Sequence, residues 1–235
     1  MTPQIVTLPS ARLLVVPLGA PHDVLSWAII GGGRRVATDV VWREVVRGEL
    51  GPEVDPPALL RRALADAGLP DAVGLMTARD VRTFEVVEAA DSGGALRAHC
   101  VATVGLANAL AAGDPPGTPP GVHAGTINIC VSLSVPLTDE ALLEALALAA
   151  EARTAAVLEA RLPSPLSGRP ASGTGTDCIV IAAPVAAPGG AYPAARLAYA
   201  GKHTRVGSVL GAAVRDAVAR GIARWLEEER CAKRP

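Results

Sequence analysis

Aromatic residues are scarce: three Trp, two Tyr and one Phe in 235 residues. A core must therefore be built from Ala, Val and Leu, and platforms on which single-stranded bases could stack are nearly absent. An excess of charge of either sign is missing too, because 22 Lys+Arg face 23 Asp+Glu for a net charge of −1. That balance lacks the basic footprint of a duplex binder, and no nucleic-acid partner is expected. Histidine is limited to His22, His99, His123 and His203, with no HExxH, no HxH and no Cys/His cluster at zinc spacing. No built-in metal site is expected from that set. Cys100, Cys130, Cys178 and Cys231 lie far apart without a CxxC pair, and they read as reduced thiols of a cytoplasmic protein. The chain opens without a basic start leading into a long apolar stretch, and uncharged runs such as 117–137 are broken by Pro119, Pro120, His123 and Asn128. Neither a secretory signal nor membrane insertion is expected.

What is present is apolar: 50% hydrophobic residues against 19% charged, enough to fold one large domain. Asp55-Pro56-Pro57 opens a helix that stops at Gly68, with Asp as N-cap and Pro in the first turn. A second helix is expected from about Asp139 to Ala160, ending before Pro163. A third spans roughly Val206 to Glu229, where Val206, Leu210, Val214, Val218, Ile222 and Leu226 form one stripe. Short β-branched runs predict strands at Ile5–Leu8, Leu13–Leu18, Leu25–Ile30, Val36–Val46, Val73–Met76, Val81–Ala89, Leu96–Val104, Thr126–Leu133 and Cys178–Ala183. Strands fill the front half at hairpin spacing and helices come late. The order predicts an α+β fold, a single domain with a mixed, largely antiparallel sheet core and helices packed on it. The Pro/Gly-rich stretches 114–121 and 184–193 can continue neither a helix nor a central strand and are expected as surface loops or lids.

Several polar groups stand where chemistry could use them. Ala171-Ser-Gly-Thr-Gly-Thr-Asp177 leads straight into the apolar run Cys178–Ala182. Gly173 and Gly175 allow close backbone approach, while Thr174, Thr176 and Asp177 bring hydroxyls and a carboxylate to the mouth of a buried strand. An ordinary tight turn explains the same residues. Asn128 interrupts the apolar strand Thr126–Ile129, where its amide needs partners, either a neighbouring loop or a substrate carbonyl. Thr103 and Asn108 flank Gly105 in a similar setting, with capping of a turn as the plainer reading. Gly31-Gly32-Gly33 satisfies neither GxGxxG nor GxxxxGK[ST], so it is no phosphate loop but a glycine hairpin beside which Ser26 could touch a ligand. Gly201-Lys-His-Thr-Arg-Val-Gly207 precedes the last helix, and its Lys202 and His203 serve either an anion or a helix cap. Cys178 is a conceivable nucleophile, but an apolar run favours an inert buried thiol. There is no GxSxG elbow. Gly–Thr bonds at 125/126, 173/174 and 175/176 suggest an autocleaved enzyme with a terminal Thr nucleophile, which a continuous chain over 1–235 disfavours.

Taken in order, Leu25-Ser-Trp-Ala-Ile-Ile-Gly-Gly-Gly33, Met76-Thr-Ala78, Thr103–Asn108, Gly125-Thr-Ile-Asn-Ile129, Glu151–Ala156, Gly173-Thr-Gly-Thr-Asp177 and Tyr199–Gly207 resemble the adenosylcobinamide amidohydrolase family of cobamide salvage enzymes. The likeness runs from about residue 20 to 220. Many members carry Lys where this chain has Arg153; an arginine cannot stand in for a lysine that gives up its proton, so a binding or structural role is expected there. The resemblance implies hydrolysis of the amide between the aminopropanol arm and a corrin side chain, giving adenosylcobyric acid. It also implies a corrinoid substrate that carries its own cobalt, with no cofactor held by the protein. For such chemistry the expected catalytic set is Asp177 or His203 as base and acid, Asn128 and loop N–H groups at the oxyanion, and Thr174 or Thr176 orienting water or attacking directly. Ser26, Gly32, Thr103, Asn108, Thr126, Gly173, Gly175 and Lys202 are the expected substrate contacts. A non-catalytic corrinoid-binding module is the alternative, and a phosphate- or nucleotide-handling enzyme a weaker one.

Overall fold

The computed structural model describes residues 2–46, 48–117, 125–186 and 195–232. Its elements run β1 (Gln4–Thr7), β2 (Arg12–Ser26), β3 (Gly33–Glu44), α1 (Pro56–Asp66), β4 (Val73–Thr77), β5 (Glu85–Ala90), β6 (Arg97–Val104), β7 (Ala109–Leu110), β8 (Ile127–Leu133), α2 (Asp139–Glu159), β9 (Gly173–Thr174), β10 (Cys178–Pro184) and α3 (Arg205–Ala232). An eight-stranded sheet has the order β4-β3-β2-β10-β8-β6-β5, with β1 paired to β2, and β7 with β9 makes a separate ribbon. Pairings are antiparallel except β3 with β4 and β8 with β10. The expected α+β fold with a mixed, largely antiparallel sheet is what the chain forms.

Strand alternation sends successive side chains to opposite faces, which divides the apolar residues into three cores. Ile127, Ile129 and Val131 of β8 and Ile179 and Ile181 of β10 pack under Leu142 and Ala145 of α2 and Leu210 and Val214 of α3. On the opposite face Cys130, Cys178 and Val180 join Leu14 and Val16 of β2, Trp42 of β3 and Leu75 of β4. Strands from both ends of the sheet thus share one interior, so the sheet curls back on itself. A hydrogen bond from Asn128 on β8 to the Met76 carbonyl on β4 crosses that interior at 2.8 Å. Leu13, Val15 and Val41 cover the outer side of the β2–β4 end, against Leu60 and Leu64 of α1. Each fully buried Leu or Val there contributes about 1.5–3 kcal/mol over exposure.

The helices start where the sequence signals them. Asp55 caps α1 by accepting from the Ala58 N–H at 3.3 Å, and Thr138 does the same for α2 through the Ala141 N–H at 3.3 Å. Two strand expectations change. Leu13–Leu18 runs on into one long strand that ends at Ser26, with a register shift between Pro17 and His22; of the expected Leu25–Ile30 only Leu25 and Ser26 lie in it, and Ile30 makes an isolated bridge to Gly74. A bulge keeps a bent strand continuous, which alternation alone does not reveal. The strand expected from Val81 begins only at Glu85, because Val81–Thr83 form a short 3-10 turn capped by Asp80. Of the two Pro/Gly-rich loops, residues 118–121 and 187–193 lie outside the described residues, as does His123. Among the described residues no helix is long and apolar enough to cross a membrane.

Candidate active site

The turn between β9 and β10 is assembled around one carboxylate. Asp177 Oδ1 accepts from the Ile127 N–H at 3.0 Å and from the Thr174 hydroxyl, while Oδ2 accepts from the Thr174 N–H at 2.9 Å and from Arg153 Nη1 on α2. The Asp177 side chain is 6% exposed and that of Arg153 15%, so the pair is charge-assisted and largely shielded from water. Gly173 makes it possible: a Cβ there would stand 2.0 Å from Arg153 Nη1 and 2.5 Å from Asp177 Oδ2. With every strong acceptor direction of Asp177 occupied, its place is to fix the turn. The Thr174 hydroxyl is spent on it as well.

Thr176 is left at the surface of this frame. Its hydroxyl meets the buried Thr126 hydroxyl at 2.9 Å and donates to the Gly125 carbonyl at 3.1 Å. Gly125 in turn donates its N–H to Asn108 Oδ1 at 2.8 Å, and a Cβ on Gly125 would lie 2.6 Å from that oxygen. Gly175 and Thr176 are exposed at the tip of the turn, and their N–H groups are not among those that hold Asp177. Exposed backbone donors beside a hydroxyl pair are suited to a developing negative charge.

Two cavities open on either side of this turn and share Gly175 and Thr176 in their walls. The larger, about 690 Å³, runs between Asn108–Gly117, Arg153 and Ser172–Thr176. Asp114 braces its far wall, where the hydroxyls of Ser164 and Ser167, the Ala111 N–H and Arg169 hold its carboxyl well below the usual carboxylate range. The smaller, about 310 Å³, is walled by Trp27, Ile29, Leu75, Met76, Asn128 and Cys178 along with the turn itself. Trp27 is anchored there by its indole N–H on the Asp177 carbonyl at 2.7 Å. Burial pushes the Cys178 thiol up to about 12, so it stays protonated and is a wall, not a nucleophile.

The expected residues thus separate into groups. Asn108, Thr126, Asn128, Gly173, Thr174, Gly175, Thr176 and Asp177 come together. Thr103 pairs in register with Asn128 and is fully buried beside it, its hydroxyl without a partner. Ser26 is buried on β2 and its Oγ accepts from the Ala28 N–H at 3.3 Å; Gly32 sits in the following hairpin, where a Cβ would meet the Ala28 carbonyl at 2.5 Å. Neither lines the two cavities. Lys202 and His203 are exposed at the start of α3, and Lys202 pairs with Glu151 at 2.6 Å. Sequence reasoning missed Trp27 and Asp114 as parts of this centre. Trp27 had a signal in the Leu25–Gly33 run; Asp114 stood in a Pro/Gly loop that reads as mere connection.

A hydroxyl, exposed N–H donors and a braced carboxylate stand together at the head of a buried strand in a helix-covered curled sheet, groups of the kind that α+β hydrolases use. The sequence places it further: the chain belongs to the adenosylcobinamide amidohydrolase family, whose model matches residues 2–230, and it is accordingly a hydrolase acting on amides. No protein of curated function matches the chain. Solved structures similar to it include a protein from Pyrococcus horikoshii OT3, at 12% identity and a TM-score of 0.47 over 94% of this chain and 80% of that one. The L-aminopeptidase D-Ala-esterase/amidase of Ochrobactrum anthropi, described as a new variant among the Ntn hydrolase fold, is 13% identical with a TM-score of 0.44 over 94% and 82%. A Burkholderia sp. beta-aminopeptidase is 14% identical with a TM-score of 0.41 over 94% and 81%.

Proposed function

We propose that this chain hydrolyses the amide joining the aminopropanol arm to a corrin side chain of adenosylcobinamide, or of a related cobamide, releasing adenosylcobyric acid and the amino alcohol. One observation carries the reading. The family-like segments containing Trp27, Met76, Asn108, Thr126 and Asn128, Arg153, and Thr174 to Asp177 are dispersed along the sequence, yet all meet at the turn between the two cavities. Residues that serve only packing have no reason to converge on solvent-filled space.

In this reading the Thr176 hydroxyl, held by Thr126, orients the attacking water. Water adds to the carbonyl carbon, and the oxyanion forms against the N–H groups of Gly175 and Thr176. Collapse breaks the C–N bond; the amine leaves with a proton and the ring side chain becomes a carboxylic acid. Asp177 and Arg153 keep the donors aimed without touching the reacting atoms. Cobalt belongs to the corrinoid substrate, and no cofactor is assigned to the chain. Lys202 and His203 have no part in the step.

The test is to incubate chelator-treated protein with adenosylcobinamide and follow adenosylcobyric acid by mass spectrometry. Product over many turnovers is expected. A shifted corrin spectrum without product would replace the enzyme with a corrinoid-binding module, and neither signal would remove the corrinoid reading altogether.

A further inference from the structure

Asn128, in the wall of the smaller cavity, carries a side-chain atom that the described residues leave without a partner. The Met76 carbonyl can only accept, so the amide nitrogen of Asn128 must face it, as it does at 2.8 Å. This fixes the orientation of the side chain, and its Oδ1 is buried without a partner. Asn128 itself is 1% exposed. A buried acceptor left unpaired costs about 1–3 kcal/mol, a cost a native fold keeps where a ligand removes it. What Oδ1 offers is acceptance, so that atom does not itself face an oxyanion. It fits a donor.

The walls say which donor. Ile29, Leu75, Met76 and Cys178 are apolar, and the space is about 310 Å³ against about 690 Å³ across the shared Gly175–Thr176 wall. A substrate whose scissile amide lies at that wall must extend one part into each cavity. The bulky polyamide ring is excluded from the smaller space and must lie toward the larger, polar one. The short arm beyond the amide nitrogen carries a methyl group and a hydroxyl, matching the apolar side chains of that wall and the unpartnered acceptor on Asn128.

Resting on the reading above, we propose that the smaller cavity seats the amino-alcohol arm and that Asn128 Oδ1 accepts its hydroxyl proton. Asn128 is then a specificity-determining residue that selects arms bearing a hydroxyl donor. The covered acceptor discriminates because an arm lacking that hydroxyl enters without supplying the missing bond.

The experiment compares two substrates on the intact protein: adenosylcobinamide, and the same corrinoid whose arm is n-propylamine, which keeps the carbon skeleton and loses only the hydroxyl. The wild type should hydrolyse the hydroxyl-free amide with kcat/KM lower by about tenfold or more. In Asn128→Leu the ratio should fall to near one, with the circular dichroism spectrum retained. Equal rates for both substrates in the wild type would overturn the arm assignment while leaving the hydrolase reading intact. A preserved ratio in a folded Asn128→Leu protein would also overturn it, by placing the hydroxyl elsewhere. No product from either substrate would overturn both readings together. Should Asn128→Leu fail to fold, the wild-type ratio alone decides.

Discussion

Two stretches look alike in the sequence, since Gly173–Cys178 and Gly201–Gly207 both mix Gly and Thr with a charged group and both lead into an apolar element. The structure gives them opposite duties. In the first, Asp177 gathers donors from β8, α2 and its own turn, leaving Gly175 and Thr176 exposed in the walls of two cavities. In the second, the hydroxyl and N–H groups at the helix start are consumed locally. Thr204 donates to the Gly201 carbonyl at 2.8 Å and accepts from the Gly207 N–H at 3.0 Å, which closes the start of α3. The preceding Ala200 N–H is held by Glu144 of α2 at 2.8 Å, while Lys202 and His203 remain in solvent. The lesson concerns what is left over: a polar motif becomes a site when its frame is satisfied and its remaining groups face a cavity. When its hydroxyl closes a helix start and the rest faces bulk solvent, it is a cap.

The sharpest way to break the comparison is Gly173→Ala. The added methyl would occupy the position of the Arg153–Asp177 pair, so either the ion pair opens or the β7–β9 ribbon shifts. Opening a shielded pair leaves a buried charge, at a cost of about 3–5 kcal/mol. Thermal unfolding should show that loss, and hydrolysis should fall below detection. An unchanged melting temperature would mean that Asp177 does not organise the turn.

Next in size is Thr176→Val, set against Thr174→Val. Thr176 has the hydroxyl placed at the shared wall, so its loss should lower kcat by about a hundredfold with little change in stability. Thr174→Val removes a bond to Asp177 and should show itself mainly as stability, by about 1–2 kcal/mol. Reversal of the two patterns would make Thr174 the reacting hydroxyl. At the other stretch the order inverts: Thr204→Ala should cost about 1 kcal/mol of stability as a lost cap, and His203→Ala should leave turnover within about twofold. A strong loss of kcat in His203→Ala with normal folding would bring α3 into the chemistry.

Much of this was legible beforehand, and the rest failed for identifiable reasons. Asp55 with Pro56 announces α1, and the Val206–Ile222 stripe announces α3, because caps and helical periodicity are local signals. The curl of the sheet is not local. It rests on Leu75 of β4 sharing a core with Val101 of β6, and on Asn128 of β8 reaching the Met76 carbonyl of β4, across strands that are far apart in the sheet order, and no window of sequence contains that. The same holds at the site. The Gly-Thr-Gly-Thr-Asp run points to Thr176 and Asp177, but it cannot say that Asp177 is spoken for by Arg153 and Ile127. Nor does Asn128 reveal from its position that its nitrogen, not its oxygen, is taken.

The smallest effect distinguishes the core from the cleft by pH. Burial is the main cause that lowers the pKa of both His22 and His99, outweighing the upward pull of the Ala20 carbonyl and Asp23 on the first and of Glu88 on the second. His99 Nδ1 is buried without a partner, which leaves little to hold a proton there. Each imidazole therefore binds its proton less readily in the folded chain than in the unfolded one, whose value is about 6.5. Between the lowered and ordinary values the unfolded state carries more protons, so stability rises with pH through that window. Their contribution is complete above about pH 6.5 and is lost as pH falls through the folded values. Thermal melts should decline as pH drops from about 6.5 toward about 5, and His99→Gln should shorten the decline without changing turnover at neutral pH, since neither imidazole lines the cavities. If His99→Gln instead followed the wild-type curve throughout, the acid sensitivity would have to come from His22 or from the carboxylates that brace the cleft, of which Asp114, already held low by its hydroxyl partners, would be the last to give way.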